Sequence, residues 1–177
     1  QRRRQDRALD KGVAIMDIRF AIVTCSTTRG IEQDTAGALL EELIAGQGWT
    51  NVSRVVVKDD VDQIADAIVA ACDKGVDVVL TCGGSGLSLA DVTPEATRKV
   101  CEREVPGIAE AMRAYSMSKT RRAMLSRAIC MQRGRTLVVN LPGSKKAAEE
   151  NWEAVYDQFE HVVHMMAGEG HEKKEGK

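Results

Sequence analysis

Apolar positions along this chain alternate between two rhythms, short continuous runs and helical stripes. Residues 17–25, DIRFAIVTC, form a run of strand length, and Ala36, Leu39, Leu40 and Leu43 then recur at helical spacing within 34–45. A valine-rich strand at 52–57 comes next. It is followed by a helix at 60–74 whose Ile64, Ala67, Ile68 and Ala71 make one stripe, ended by Gly75. The third strand, 77–81, is apolar enough to be buried on both faces, as parallel strands are. Further helices are predicted around 94–102 and 107–117. Residues 126–131 and 135–140 predict a hairpin or neighbouring strands around Arg133-Gly134. Asn140-Leu141-Pro142-Gly143 closes the last strand. Ser144 can then cap a final long helix carrying Ala147, Ala148, Trp152, Val155, Phe159 and Val162.

This alternation predicts an α/β fold, a three-layer, doubly wound, mostly parallel sheet with helices on both faces. No repeat and no linker divides the body, so residues 16–167 read as one domain. The basic stretch 1–15 lacks the apolar run of a signal peptide. It reads as a disordered leader or upstream sequence, with Met16 as the natural start. The polar, glycine-rich tail 168–177 is expected to be disordered.

Composition narrows the classes. Hydrophobic residues make up 44% of the 177 and aromatics only 3%, so the core is expected to be aliphatic. A net charge of −1 argues against a nucleic-acid partner bound by phosphate neutralisation. No segment is long and apolar enough to span a membrane. Five cysteines without a CxxC pair fit reduced thiols in a cytoplasmic protein. The three histidines all fall from His161 onward, which leaves no His–Cys zinc pattern.

The candidate chemistry gathers at the carboxyl ends of the predicted strands, where open α/β sheets bind ligands. After strand three comes Gly83-Gly84-Ser85-Gly86, then Asp91, then a helix opening at Thr93-Pro94. This is neither a P-loop nor GxGxxG. It is either a tight strand-to-helix turn or a cradle in which backbone N–H groups and Ser85 surround phosphate oxygens. Asp91 either caps the following helix or faces the ligand. Of Asp59 and Asp60, after strand two, Asp60 is expected to cap a helix while Asp59 points into the cleft. Acids from two loops can share Mg²⁺, which keeps waters and bridges to phosphates. Lys119, Arg121 and Arg122 read as a solvated charge run, whereas Arg127, beside Ser126 at a strand start, is the better candidate for an anion. Ser116 reads as making local backbone hydrogen bonds.

Taken together, GGSGLSLADVTPEAT, VPGIAEAMR, AMLSR and LVVNLPGS resemble the MogA/MoaB family of molybdenum cofactor biosynthesis proteins, from about Arg19 to Val163. The resemblance implies a compact α/β fold, a homotrimer, and adenylyl transfer from Mg-ATP to molybdopterin with release of pyrophosphate, before a second enzyme inserts molybdate. The implied catalytic and Mg²⁺-handling residues are Asp59 and Asp91. Gly83, Gly84, Ser85 and Gly86 match the nucleotide-phosphate loop, and Ser126 and Arg127 match a serine and arginine near pterin and phosphate groups. Asn140, Pro142 and Gly143 match the loop that closes the site. No side-chain nucleophile is implied, so Cys82 beside the loop is not a candidate. The chain departs from the family pattern at Thr27, where Asp is common, and at Ala90, where Arg is usual. Lys58 and Lys145 stand where Pro is common. These departures keep open a second implied function, a molybdopterin-binding carrier with little turnover.

Overall fold

The computed structural model describes residues 16–168. Six strands, β1 (Arg19–Cys25), β2 (Thr50–Val57), β3 (Val78–Cys82), β4 (Arg103–Glu104), β5 (Cys130–Arg133) and β6 (Thr136–Leu141), form one sheet in the order β2-β1-β3-β6-β5-β4. The first four in that order run parallel, and β5 and β4 add an antiparallel flank. Leu80 pairs between Ile22 and Val139, and Cys82 between Thr24 and Leu141, so the carboxyl ends of the three central strands finish level.

Alternation along these strands separates two cores. Phe20, Ile22, Leu80 and Val139 face α1 (Thr35–Gly46), α4 (Pro106–Met117), α5 (Lys145–Val155) and α6 (Phe159–Met166). Ala21, Val23, Val79 and Val138 face α2 (Val61–Asp73) and α3 (Thr93–Val100). Helices therefore cover both faces, as the strand–helix alternation predicts. The first core is not purely aliphatic. The chain has two residues each of Trp, Tyr and Phe, and all but Tyr115 meet in one cluster of Phe20, Trp49, Trp152, Tyr156 and Phe159.

Two expectations shift. The final helix is broken: Val155 leaves helical geometry (φ −134°), and a 3₁₀ turn at Tyr156–Gln158 precedes α6, yet Trp152 and Phe159 stay in one stripe against Phe20. The hairpin around Arg133-Gly134 exists, with Gly134 at φ 55°, but β5 starts only at Cys130. Residues 126–129 leave the ladder because their amides bond elsewhere, Arg127 N–H to the Ser85 carbonyl and Ile129 N–H to the Asn140 side chain. Lys119, Arg121 and Arg122 are exposed, as a solvated charge run requires, and Arg121–Leu125 forms a 3₁₀ turn. The sequence readings of 1–15, and of the tail beyond Gly168, lie outside the described residues.

Candidate functional site

The site begins where β3 ends. Gly83 and Gly84 adopt φ of 98° and 68°, a left-handed geometry that glycine reaches without a Cβ penalty. A Cβ on Gly83 would come within 2.7 Å of the Cys25 carbonyl oxygen, and one on Gly143 within 3.2 Å of Gly83 Cα. The loops after β1, β3 and β6 thus meet backbone against backbone. A Cβ on Gly84 would overlap Thr93 Oγ1, which donates to the Gly83 carbonyl at 2.9 Å, while Thr93 N–H donates to the Gly84 carbonyl. The first residue of α3 therefore fixes the glycine turn.

The N–H groups of Gly84, Ser85, Gly86 and Leu87 donate to no protein group among the described residues. These four residues line a cavity of about 540 Å³, so a run of unpaired donors borders an open space. Such a run favours an anion with several acceptor oxygens.

Both acids approach this loop. Asp59 Oδ2 accepts from Thr27 N–H and Thr27 Oγ1, each at 3.0 Å, and its Oδ1 lies 3.4 Å from the Cβ position of Gly84. Asp60 caps α2 by accepting from Gln63 N–H, as anticipated. Asp91 does not cap α3: Val92 holds that position, and Asp91 Oδ2 accepts from Ser88 N–H at 3.3 Å, beside Gly86. Among the described residues no three His, Cys, Asp or Glu side chains gather as a metal cage.

Of the residues singled out from the sequence, Gly83, Gly84, Ser85, Gly86, Asp91, Ser126, Pro142 and Gly143 line the cavity. Asp59, Asn140 and Arg127 do not, and Asp59 instead approaches the turn from beside Thr27, with Oδ1 toward Gly84. Asn140 is 0% exposed, and its amide is consumed internally. Nδ2 donates to Thr81 Oγ1 and Thr97 Oγ1, each at 3.0 Å, and Oδ1 accepts from Ile129 N–H. It holds the loop before Pro142 and cannot itself reach a ligand. Replacing it with alanine strands the buried Thr81 hydroxyl and the Ile129 amide and leaves Thr97 Oγ1 only its bond to the Thr93 carbonyl, which should cost on the order of 3 kcal/mol, read by urea denaturation. Arg127 is likewise engaged, with Nε on the Gly86 carbonyl at 2.7 Å, Nη2 on the Asp91 carbonyl at 2.8 Å, and Nη1 paired with Glu95. It braces the loop instead of facing the cavity.

The far wall brings in Arg113 from α4 and Glu150 and Asn151 from α5, which sequence reasoning passed over, with Ser116 of α4, read there as bonding the local backbone, and Arg122 of the 3₁₀ turn, read as part of a solvated run. Asn151 Nδ2 donates to Ser116 Oγ at 3.3 Å, linking the two helices. A signal existed, since Asn151 sits in the apolar phase between Ala148 and Trp152, where a polar side chain requires a partner. Cys25 and Cys82 are buried beside the loop, and burial pushes both thiols up to about 12, so neither is a thiolate nucleophile near neutral pH.

The family model described as "Probable molybdopterin binding domain" matches residues 21–161. A protein of Helicobacter pylori strain J99 named molybdopterin adenylyltransferase is 34% identical over 156 residues, 85% of this chain and 89% of that protein. The chain belongs to the MogA/MoaB family of molybdenum cofactor biosynthesis proteins. The crystal structure of the molybdopterin biosynthesis enzyme MoaB from Thermus thermophilus matches this MogA/MoaB fold with a TM-score of 0.79 at 42% identity. The match covers 85% of this chain and 97% of that one. The molybdenum cofactor synthesis protein cinnamon of Drosophila melanogaster is 37% identical over 154 residues, 84% of this chain, which spans only 26% of that longer protein. The MogA/MoaB sheet thus also occurs as a segment of a larger chain. Among the described residues no helix is long and apolar enough to cross a membrane.

Proposed function

We propose that this protein adenylylates molybdopterin. A terminal phosphate oxygen of molybdopterin attacks the α-phosphorus of ATP, the new P–O bond forms as the bond to the β-phosphate bridging oxygen breaks, and pyrophosphate leaves. The observation that carries this reading is the run of unpaired N–H donors at 84–87, with Asp59 on one side of it and Asp91 on the other. Charge developing on phosphate oxygens is stabilised by such fixed donors, and positioning supplies much of the rest. Ser126 and the Pro142-Gly143 backbone border the same cavity and confine the attacking phosphate.

The donor set fits Mg²⁺. Asp59 and Asp91 offer hard carboxylate oxygens beside Gly84 and Gly86, the ligand type of an ion held by one or two carboxylates plus substrate phosphates. When bound there, Mg²⁺ neutralises phosphate charge. Asp59 is held for that task by two Thr27 donors that leave Oδ1 toward Gly84.

One set of residues favours a second reading, a molybdopterin-binding carrier. Thr27 supplies no carboxylate, and Ala90 supplies no cation at the exposed loop tip. The retained Asp59, Asp91, Ser126 and Arg127 keep adenylylation the leading reading. With molybdopterin, ATP and Mg²⁺, the purified protein is expected to release one pyrophosphate per molybdopterin consumed. Tight molybdopterin binding with pyrophosphate at background would replace the enzyme reading with the carrier. The reading includes a homotrimer that hands its product to the molybdate-inserting enzyme. Light scattering at micromolar concentration is expected to give three chain masses, and a monomer mass would contradict the trimer.

A further inference from the structure

Residues 86–91 project from the glycine turn with little to hold them. Within the segment, Ser88 and Asp91 bond to each other, Asp91 N–H to the Ser88 carbonyl and Ser88 N–H to Asp91 Oδ2, and Ala90 N–H donates to Ser88 Oγ. Leu89 at the tip is 100% exposed. Every hydrogen bond that ties this segment to the rest of the described protein comes from one side chain. Arg127 Nε donates to the Gly86 carbonyl at 2.7 Å, and Nη2 to the Asp91 carbonyl at 2.8 Å. The Arg127 main-chain N–H adds a third anchor just upstream, on the Ser85 carbonyl at 2.8 Å.

What holds Arg127 is Glu95, in the first turn of α3. Its Oε1 pairs with Nη1 and its Oε2 accepts from Nη2 at 3.4 Å. With Nε, both Nη2 protons and one Nη1 proton engaged, a single N–H of the guanidinium is left. The Arg127 guanidinium in turn draws the Glu95 carboxyl below the usual carboxylate range, as a charge-assisted pair requires. Both side chains are partly exposed, so the pair adds little to global stability. Its consequence is geometric: it orients the fork that fixes both ends of the segment bearing Asp91.

We propose that Glu95 is a positioning residue, acting through Arg127 to set where the Asp91 carboxylate and the loop N–H groups stand relative to a bound phosphate. The link to phosphate rests on the adenylylation reading, whereas the clamp itself does not.

The variants are Glu95→Gln, which keeps size and an acceptor but removes the charge, Arg127→Lys, which keeps charge but loses the fork, and the double variant. Hydrogen exchange is expected to speed up roughly fivefold or more for the hydrogen-bonded amides of Ser88, Ala90 and Asp91 in Glu95→Gln, with β1 and β3 amides unchanged. KM for ATP is expected to rise roughly tenfold with a smaller change in kcat, and the double variant to be no worse than Arg127→Lys. Loop exchange equal to wild type in Glu95→Gln would overturn the proposal. So would faster loop exchange with an unchanged ATP KM, since that leaves the clamp structural only. If wild type neither binds ATP nor releases pyrophosphate, the adenylylation reading fails and the proposed role toward phosphate falls with it, while loop exchange alone still decides the clamp.

Discussion

Asp59→Asn is expected to lower the rate of pyrophosphate release by about two to three orders of magnitude, the usual scale for removing one preorganised electrostatic group from a reacting centre. Asparagine has nearly the shape of aspartate and keeps an oxygen that can accept from Thr27 N–H and Thr27 Oγ1, so the loop contact should survive. What is lost is a full negative charge beside Gly84, where the phosphates and their cation would lie. The neighbouring cap on α2 belongs to Asp60, so helix stability should be unaffected. The expected signature is therefore a collapse of single-turnover pyrophosphate release with an unchanged melting temperature. A variant retaining more than about a tenth of the wild-type rate would remove Asp59 from the reacting centre.

The largest loss of stability is expected from Trp152→Ala, about 3–5 kcal/mol. Trp152 is 2% exposed and stands at the middle of the aromatic cluster, with ring centroids 5.7–6.1 Å from Tyr156, Phe159, Phe20 and Trp49. Its removal leaves the four neighbouring rings facing a cavity. The cluster joins α5, the 3₁₀ turn after it, α6, the residue before β2 and the start of β1, so its loss loosens one whole layer. Urea unfolding should show a lower midpoint with an unchanged slope, and the melting temperature should fall by roughly 8–16 °C. Activity per folded molecule should be retained at temperatures where the variant stays folded, because none of the five ring residues lines the cavity.

Local chemistry made some of this protein legible in its sequence. The division of labour between Asp59 and Asp60 follows from capping rules acting within one turn, and it is what the structure has. The glycine turn, the parallel core strands and the two helical layers follow in the same way from local periodicity. Asn140 and Arg127 were not legible, because their roles depend on partners 43, 59 and 32 residues away that no local pattern reveals. Each is a polar group at a strand end, and from sequence that position looks like a ligand contact. Asp91 also failed as a helix cap. Val92 takes the cap position of α3, which has no side-chain cap, while the Asp91 carboxylate turns back to accept from Ser88 N–H.

The contact of the three loops through bare backbone, Gly83 against the Cys25 carbonyl and against Gly143, divides the site into regions of unequal freedom. At the base, any added methyl group would drive strands β1, β3 and β6 apart, so sequence change there is closed off whatever ligand is bound. A few residues further on, the exposed tip around Leu89 has room for almost any side chain. A lineage can thus alter what meets the outer part of a substrate while the inner donors stay as they are. The Ala90 departure, falling at that tip and not at the base, is the kind of drift this architecture permits.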